Sequence, residues 1–256
     1  MLYQHNITRP DLYVANSDLV ARRIQQYWNI PDDQIRVVYP PVSTYEYSSH
    51  DAETGDYFVT VSRLDGPKCI DEIVHAFNQT EFELRIAGRG PERDRLEELA
   101  EENIHFEGYV SEDQKQELLS GARAFVFASQ NEDFGMAPVE AMAAGTPVIG
   151  VKDGFTQDQI IDGKNGITYA RNGSDLRERL HYFDRHGVDW TSTEIATFAE
   201  DHFSVQRFRD GIQRAVEEAQ ERSRVIPDWQ TDADTSRDIP PETIEQATPD
   251  GGEYFK

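Results

Sequence analysis

Three features of the sequence predict an α/β fold in which helices cover both faces of a parallel sheet. From residue 57 onward, short β-branched or aromatic runs alternate with longer segments of helical periodicity, the pattern of repeated βαβ units. Glycine and proline bound many of these runs. The length of 256 residues is sufficient for a core of ordinary size. Together they predict a Rossmann-like, doubly wound parallel sheet with its ligand crevice at the carboxyl ends of the strands.

The predicted domain consists of strands and helices in strict alternation. The strand candidates are the apolar runs at 57–61, 83–87, 103–106, 124–128, 147–151 and 166–169. The helix candidates lie between them, at 68–79, 91–102, 111–121, 136–144 and 156–162. Functional residues are therefore expected in the loops that leave the strands.

The first 45 residues contain one further, incomplete βα pattern. Its candidates are a strand at 12–15, a helix cap at 16–18, a helix at 19–28 and a second strand at 35–39. A unit of this size cannot bury its own apolar faces. We therefore expect it to be the remnant of a preceding N-terminal domain, joined to the rest by the stiff linker Pro40-Pro41.

The sequence changes character after the predicted sheet. Helical periodicity continues through three stretches, at 174–183, 194–202 and 205–221. From Arg222 onward Pro, Asp, Thr and Gly dominate, which predicts a disordered acidic tail. The expected organisation is a remnant and linker at 1–45, a Rossmann-like domain with C-terminal helices at 46–221, and a tail at 222–256.

Composition excludes several classes of partner and site. The 48 acidic and 25 basic residues give a net charge of −23, which disfavours binding to nucleic acid. This excess, with only five lysines, is typical of a salt-adapted cytoplasmic protein, and an ordinary acidic protein is the alternative. The single Cys69 excludes an internal disulfide, and no Cys/His group has zinc-site spacing. No apolar stretch reaches the roughly 20 residues of a membrane helix, so we expect a cytoplasmic chain, either free or peripheral at the inner membrane face.

The segment 129–149 carries the most informative pattern. It leaves a predicted strand, turns at Gly135 and enters a helix, so that Glu132 lies in the loop and Glu140 in the helix. A loop carboxylate near a helix N-terminus can accept hydrogen bonds from sugar hydroxyls, and the second carboxylate can bind both hydroxyls of a ribose. The alternative is that Glu132 is merely exposed to solvent and Glu140 only favours the helix start through its dipole.

Two cations flank a Gly-Pro turn after the first strand of the predicted sheet. Arg63 and Lys68 can converge on a diphosphate, arginine through a fork of two hydrogen bonds and lysine as a point charge. Pairing with surface carboxylates is the alternative role for such residues. After the next strand, Gly88 and Gly90 offer bare backbone to a ligand, but without a third spaced glycine they are a weak dinucleotide signal.

Together these segments resemble the C-terminal, donor-binding domain of the retaining GT-B glycosyltransferases called the glycosyl transferases group 1 family. The Glu-x7-Glu motif of that family is matched within 129–149, and its Gly-x-Gly-Pro turn at 88–91. Its Asn-Val-x-Phe-x-Gly strand is matched at 103–108, and its Tyr-Pro-Pro-Val linker at 39–42. The similarity extends over roughly residues 11–220.

The resemblance implies transfer of a sugar, with retention of configuration, from a nucleotide diphosphate sugar to a glycan, lipid-linked or other acceptor. Arg63 and Lys68 would hold the diphosphate and stabilise the leaving nucleotide. Glu132 would contact the transferred sugar, and Glu140 the ribose. Further donor contacts are implied for Gly88 and for the backbone N–H groups of Phe134, Gly135 and Met136. No metal ion and no other cofactor are expected, because the two cations replace the divalent ion of other transferases.

Three departures from the family pattern affect these expectations. Ser62 and Cys69 replace two glycines around the cation pair, and the segment 153–159 replaces a Gly-Gly-x-x-Glu motif, which alters contacts to the donor sugar. Family members also carry an acceptor-binding N-terminal domain of about 150 residues or more, of which only the last βα unit is matched. The expectation is half an active site, which a separate N-terminal partner chain completes unless the chain is a truncated copy of a longer enzyme.

Two other functions fit the same sheet. A catalytically silent nucleotide-sugar-binding or regulatory module, derived from a truncated glycosyltransferase, would keep the same motifs. An NAD-dependent oxidoreductase would need a three-glycine turn and an acidic residue after its first strand, and the sequence lacks both. No motif specifies the nucleotide, the sugar or the acceptor.

Overall fold

The computed structural model describes residues 10–47, 55–171 and 175–225. The N-terminal unit, as we call residues 10–37, consists of strand β1 (Tyr13–Ala15), helix α1 (Asp18–Trp28) and strand β2 (Ile35–Val37), which pairs with β1 in parallel. The hydroxyl of Ser17 caps α1 as the sequence predicts, accepting a hydrogen bond from a backbone N–H of the first turn. The unit has a small apolar core formed by Ala15, Ile24, Ile30 and Ile35.

A six-stranded parallel sheet forms the centre of the rest of the chain. Its strands are β3 (Tyr57–Val61), β4 (Glu83–Ala87), β5 (Ile104–Gly108), β6 (Ala124–Phe127), β7 (Val148–Val151) and β8 (Gly166–Tyr169). Their order across the sheet is β5-β4-β3-β6-β7-β8. The chain moves outward from β3 to β5 and then returns to the other side of β3. This doubly wound order confirms the predicted fold class and places the switch point between β3 and β6.

Helices cover both faces of the sheet and extend beyond it. They are α2 (Thr44–Tyr47), α3 (Ile70–Phe77), α4 (Arg93–Leu99), α5 (Glu112–Ser120), α6 (Met136–Ala143), α7 (Thr156–Gln159), α8 (Asp175–His186), α9 (Ser192–Phe203) and α10 (Val205–Val225). The helix predicted at 156–162 is shorter than expected. The side chain of Asn165 accepts a hydrogen bond from the backbone N–H of Ile161 at 2.7 Å, which competes with continuation of the helix.

Helix α10 extends four residues beyond the predicted end at Glu221. Arg222 pairs with Glu218 one turn earlier, at 2.8 Å, and also donates to the backbone carbonyl of Asp33 in the N-terminal unit. The same Glu218 accepts a hydrogen bond from Arg36 at 2.8 Å. These contacts stabilise the last turns of the helix and attach it to the N-terminal unit. The rest of the predicted tail, residues 226–256, lies outside the described residues.

Two apolar cores lie on opposite faces of the sheet. Neighbouring residues of β3 enter different cores, with Phe58 in one and Val59 in the other, and both side chains are fully buried. In β6, Val126 and Phe125 divide in the same way. Each side chain of this kind stabilises the fold by about 1.5–3 kcal/mol. Because both faces are packed, the carboxyl ends of the strands are held rigidly where their loops begin.

Candidate functional site

The loops after β3, β4 and β6 meet at the switch point. The backbone N–H of Gln130, in the loop after β6, donates to the carbonyl of Pro67, in the loop after β3, at 2.8 Å. The N–H of Leu64 donates to the carbonyl of Arg89, in the loop after β4, at 3.0 Å. The three loops therefore form one continuous wall that carries the candidate site residues.

Two glycines allow the loops after β3 and β4 to touch. Gly88 has φ +137°, and a Cβ atom placed on it would lie 1.8 Å from the backbone oxygen of Ser62. A Cβ atom on Gly90 would lie 2.1 Å from the backbone oxygen of Leu64. The role of Gly88 as a donor contact stays a prediction, whereas its close approach to Ser62 shows that only glycine fits at this position.

Lys68 and Glu132 form an ion pair across the switch point. Nζ of Lys68 lies 2.7 Å from Oε2 of Glu132, and their side chains are 29% and 22% exposed. Lys68 ends a 3-10 turn, Gly66–Lys68, which continues into Cys69 at φ +50°. The structure thus brings together the cation predicted for phosphate and the carboxylate predicted for sugar.

Arg63 is not part of this pair. Its side chain is 80% exposed and contacts Asp65, whose own side chain is largely buried. The second carboxylate oxygen of Asp65 is buried without a hydrogen-bond partner among the described residues. Asp65 was missed from the sequence, although its position directly before the Gly-Pro turn, between the two cations, is a usable signal.

The Glu132 loop, residues 129–135, rests on the segment that follows β7. The backbone carbonyl of Glu132 accepts a hydrogen bond from the N–H of Phe155 at 2.9 Å. The N–H of Asn131 donates to the carboxylate of Asp153 at 3.2 Å. Gly154 has φ +58°, and a Cβ atom on it would lie 2.5 Å from the Glu132 backbone. The segment that departs from the family pattern therefore supports the loop directly.

Helix α6 begins at the end of the Glu132 loop. Gly135, at φ +80°, precedes its first residue, Met136, and has no side chain with which to cap the helix. The first N–H groups of α6 are therefore available to a polar ligand. Met136 is exposed, whereas the ring of Phe134 is buried. Phe134 can thus offer a ligand its backbone but not its side chain.

Glu140 is paired with a lysine that the sequence analysis missed. Nζ of Lys115 lies 3.1 Å from Oε1 of Glu140 and 2.8 Å from Oε2 of Glu112, and the lysine side chain is only 12% exposed. Burial opposes its charge, but the hydrogen bond with Glu112 and the attraction of Glu140 raise the pKa of Lys115 overall. Burial, with Glu140 adding to it, raises the pKa of the neighbouring Tyr47 to about 12. Lysine is rare in this acidic chain, and this rarity is the one feature of the sequence that could have marked Lys115 as a candidate site residue.

A further polar cluster lies beside Lys68. Arg171, after β8, donates to the backbone carbonyl of Ala128 at 2.7 Å and pairs with Glu72 of α3. Burial raises the pKa of the Cys69 thiol, against the effect of Arg171. A thiol with a raised pKa stays protonated near neutral pH, so Cys69 is unsuited to act as a nucleophile.

Among the residues that the structure describes, no three His, Cys, Asp or Glu side chains come together as ligands for a metal ion. None of the helices described is both long and apolar enough to cross a membrane.

Comparison with known proteins gives a family match over residues 45–183, more than half of the chain, to Glycosyl transferases group 1. Over 189 residues the chain is 31% identical to the UDP-N-acetylglucosamine–peptide N-acetylglucosaminyltransferase GtfA subunit of Streptococcus gordonii, covering 68% of this chain and 37% of that protein. Over 201 residues it is 29% identical to an uncharacterized glycosyltransferase of Methanocaldococcus jannaschii, covering 69% and 51%. The chain thus spans about a third to a half of these relatives.

Among solved structures, the fold is similar to that of Anabaena HepE in complex with UDP. The TM-score is 0.73 at 19% identity, and the match covers 81% of this chain and 64% of that one. At this identity the likeness concerns the fold. It supports the predicted fold class.

Proposed function

Because the chain belongs to the glycosyl transferases group 1 family, we propose that it is the donor-binding part of a glycosyltransferase. In this proposal a sugar moves from a nucleotide diphosphate sugar to a glycan, lipid-linked or other acceptor with retention of configuration. The observation that carries the proposal is the contact of Lys68 with Glu132 at the switch point, which pairs the cation that we assign to phosphate with the carboxylate that we assign to the sugar. The UDP bound by HepE and the UDP-sugar in the name of the streptococcal relative support a donor of this class.

Lys68 and Arg63 bind the donor diphosphate. A phosphate oxygen takes the place of Glu132 beside Lys68, and the exposed Arg63 turns from Asp65 to the other phosphate. Charge-assisted hydrogen bonds of this kind are about twice as strong as neutral ones. They stabilise the negative charge that develops as the nucleotide leaves, so the mechanism needs no general acid for the leaving group.

Glu132 and the start of α6 bind the transferred sugar. Once phosphate occupies Lys68, the carboxylate of Glu132 is available to accept hydrogen bonds from sugar hydroxyls. The backbone N–H groups of Phe134, Gly135 and Met136 lie at the positive end of the α6 dipole and donate to the donor. The donor sugar thereby contacts the loop that links β6 to α6.

Glu140 binds the ribose of the nucleotide. Lys115 donates a hydrogen bond to Oε1 of Glu140, and we assign Oε2 to accept a hydrogen bond from a ribose hydroxyl. The buried lysine also compensates the charge of the carboxylate, which would otherwise repel the diphosphate nearby. Gly88, which packs against Ser62, is assigned to contact the nucleotide through its backbone.

The acceptor site is assigned to an N-terminal domain, either on a separate partner chain or in a longer enzyme of which this chain is a part. The name of the streptococcal relative describes that protein as a subunit, which supports a function in assembly with another chain. Transfer of the sugar requires that domain, whereas binding of the donor does not. No metal ion or other cofactor takes part, because the two cations carry the charge of the diphosphate. The net charge of −23 supports a location in a cytoplasm of high salt.

Calorimetric titration with UDP-, GDP- and ADP-sugars tests this function. The titrations are run at high salt, with and without a chelator, and one class of nucleotide sugar is expected to bind equally well in both. Absence of binding to all three classes contradicts the proposal. The chain spans only about a third to a half of its relatives. A catalytically silent nucleotide-sugar-binding module is therefore the second candidate function. Donor binding without transfer in the presence of the N-terminal partner would favour that module.

A further inference from the structure

Helix α1 contacts the Glu132 loop through the two residues that flank Glu132. The guanidinium of Arg23 donates to the side-chain oxygens of both Asn131 and Asp133. Glu132, between these two residues, contacts Lys68 instead. The two flanking side chains therefore face the N-terminal unit, while Glu132 itself faces the donor site.

An aromatic contact fixes the same loop to the linker. The ring of Tyr39 lies 5.8 Å from that of Phe134, which directly follows the loop acids, and 5.6 Å from that of Phe155. The hydroxyl of Tyr39 donates to the carboxylate of Asp18, the first residue of α1, at 2.6 Å. Two independent contacts thus connect α1 and the linker with the residues on either side of Glu132.

The geometry at Arg23 requires an arginine. A guanidinium presents a rigid fork of donors that can reach two acceptors at once, whereas an ammonium on a flexible stem is a point charge. Asn131 has φ +55°, in the left-handed region that asparagine tolerates better than most residues do. Arg23 contacts the side chain of Asn131 in this conformation and that of Asp133 two residues later.

We propose that Arg23 is a positioning residue for Glu132, holding the loop so that the carboxylate faces the donor sugar. The contact also makes the geometry at Glu132 depend on the position of the N-terminal unit. A shift of α1 relative to the sheet therefore changes sugar recognition without touching the residues that bind phosphate. The consequence for sugar binding rests on the proposed function, whereas the contact itself does not.

Hydrogen exchange tests the contact without any ligand. The full chain is compared with Arg23→Ala, Arg23→Lys and, as a matched control, Arg22→Ala. Arg22 is adjacent on α1 but pairs with Asp158 of α7 at 3.3 Å. Arg23→Ala loses two partly exposed hydrogen bonds, so we expect amide exchange in the Glu132 loop to become about fivefold faster. Arg23→Lys is expected to give an exchange rate between those of the wild type and Arg23→Ala, and Arg22→Ala is expected to exchange like the wild type. Unchanged exchange in Arg23→Ala, or an equal rise in the control, overturns the proposal.

Binding measurements test the consequence. The same variants are titrated with free UDP and with UDP-N-acetylglucosamine. Free GDP and ADP, each with one of its nucleotide sugars, are titrated in the same way. Arg23→Ala is expected to bind the free nucleotide with wild-type affinity. The ratio of the Kd for the free nucleotide to the Kd for the nucleotide sugar is expected to fall about fivefold. An equal loss for both ligands contradicts a positioning role. If the wild type binds none of these ligands, the proposed function fails, and the exchange data still decide whether Arg23 holds the loop.

Discussion

Nζ of Lys68 lies 2.7 Å from Oε2 of Glu132. The residue assigned to the donor diphosphate and the residue assigned to the donor sugar therefore form an ion pair with each other. The pair joins the loops after β3 and β6 across the switch point. A donor therefore exchanges one set of charge contacts for another rather than entering a site of unpaired charges. Electrostatic stabilisation of a leaving group benefits from such prearranged groups, since little reorganisation is needed during the reaction.

Substitution of the cations is expected to weaken nucleotide binding. Lys68→Ala removes a charged donor and leaves the carboxylate of Glu132 unpaired next to the diphosphate. We expect the Kd for the nucleotide to rise tenfold or more, since a hydrogen bond to a charged group contributes about 1.5–3 kcal/mol. Arg63→Ala is expected to have a smaller effect, because its side chain is mostly exposed. Calorimetric titration measures both, with Lys164→Ala, far along the chain beside Trp190, as the control.

Neutralising Glu132 is expected to separate sugar from nucleotide recognition. Glu132→Gln keeps the shape of the side chain and removes a negative charge near the diphosphate. Free nucleotide should bind as tightly as to the wild type, or more tightly, while the preference between nucleotide sugars falls. Titration of one nucleotide with several sugars attached measures this preference. Equal loss of affinity in Glu132→Gln, Lys68→Ala and Arg63→Ala would indicate misfolding instead of separate roles.

Lys115 is expected to stabilise the fold in a pH-dependent way. Lys115→Met leaves Glu140 half-buried without its partner, at a cost of about 2 kcal/mol in the free energy of unfolding. Because the folded state raises the pKa of Lys115 above its ordinary value of 10.5, this contribution is complete below pH 10.5 and is lost as pH rises further. Denaturant unfolding of both proteins between pH 7 and about 11.5 measures the difference. A difference that shrinks already near neutral pH would contradict the assignment.

A methyl group on Gly88 is expected to separate the loops after β3 and β4. Gly88→Ala places a Cβ atom 1.8 Å from a backbone oxygen at φ +137°, so clash and strain add, and we expect a loss of about 4 kcal/mol or more. Gly163→Ala is the matched control, with φ +80° and no atom of the described residues within 4 Å of the added one. It should lose only about 1–2 kcal/mol from backbone strain. Thermal unfolding measures the stability of both variants. An equal loss of stability in the two would show that the close contact between the loops after β3 and β4 does not stabilise the fold.

Local pattern was sufficient for most of the fold. The strands at Tyr57–Val61 and Glu83–Ala87 lie where their apolar runs predict, because both faces of the sheet are buried and select such runs. The four-residue α2 was not predicted, since a helix this short depends on packing against α5, α6 and α9. The helix predicted at 68–79 begins only at Ile70, because Cys69 has a left-handed φ of +50° that ends the 3-10 turn Gly66–Lys68 before α3 starts.

Several residues of the candidate site were predicted from the sequence, but Asp65, Lys115 and the contacts between distant residues were not. Motif spacing indicated Lys68, Glu132 and Glu140, and the roles of all three stay predictions. Nothing local in the sequence indicates that Glu140 contacts Lys115 or that Asp133 contacts Arg23, 110 positions away. Such pairs form only because the order of the strands brings distant loops and helices together.

A structure of the chain with bound donor tests the roles assigned to Lys68, Glu132 and Glu140. The chain is crystallised with the nucleotide sugar that titration shows to bind. We predict a phosphate oxygen within about 3 Å of Nζ of Lys68, sugar hydroxyls on Glu132 and a ribose hydroxyl on Glu140. A nucleotide sugar bound away from the switch point, with the contact between Lys68 and Glu132 intact, would contradict the account.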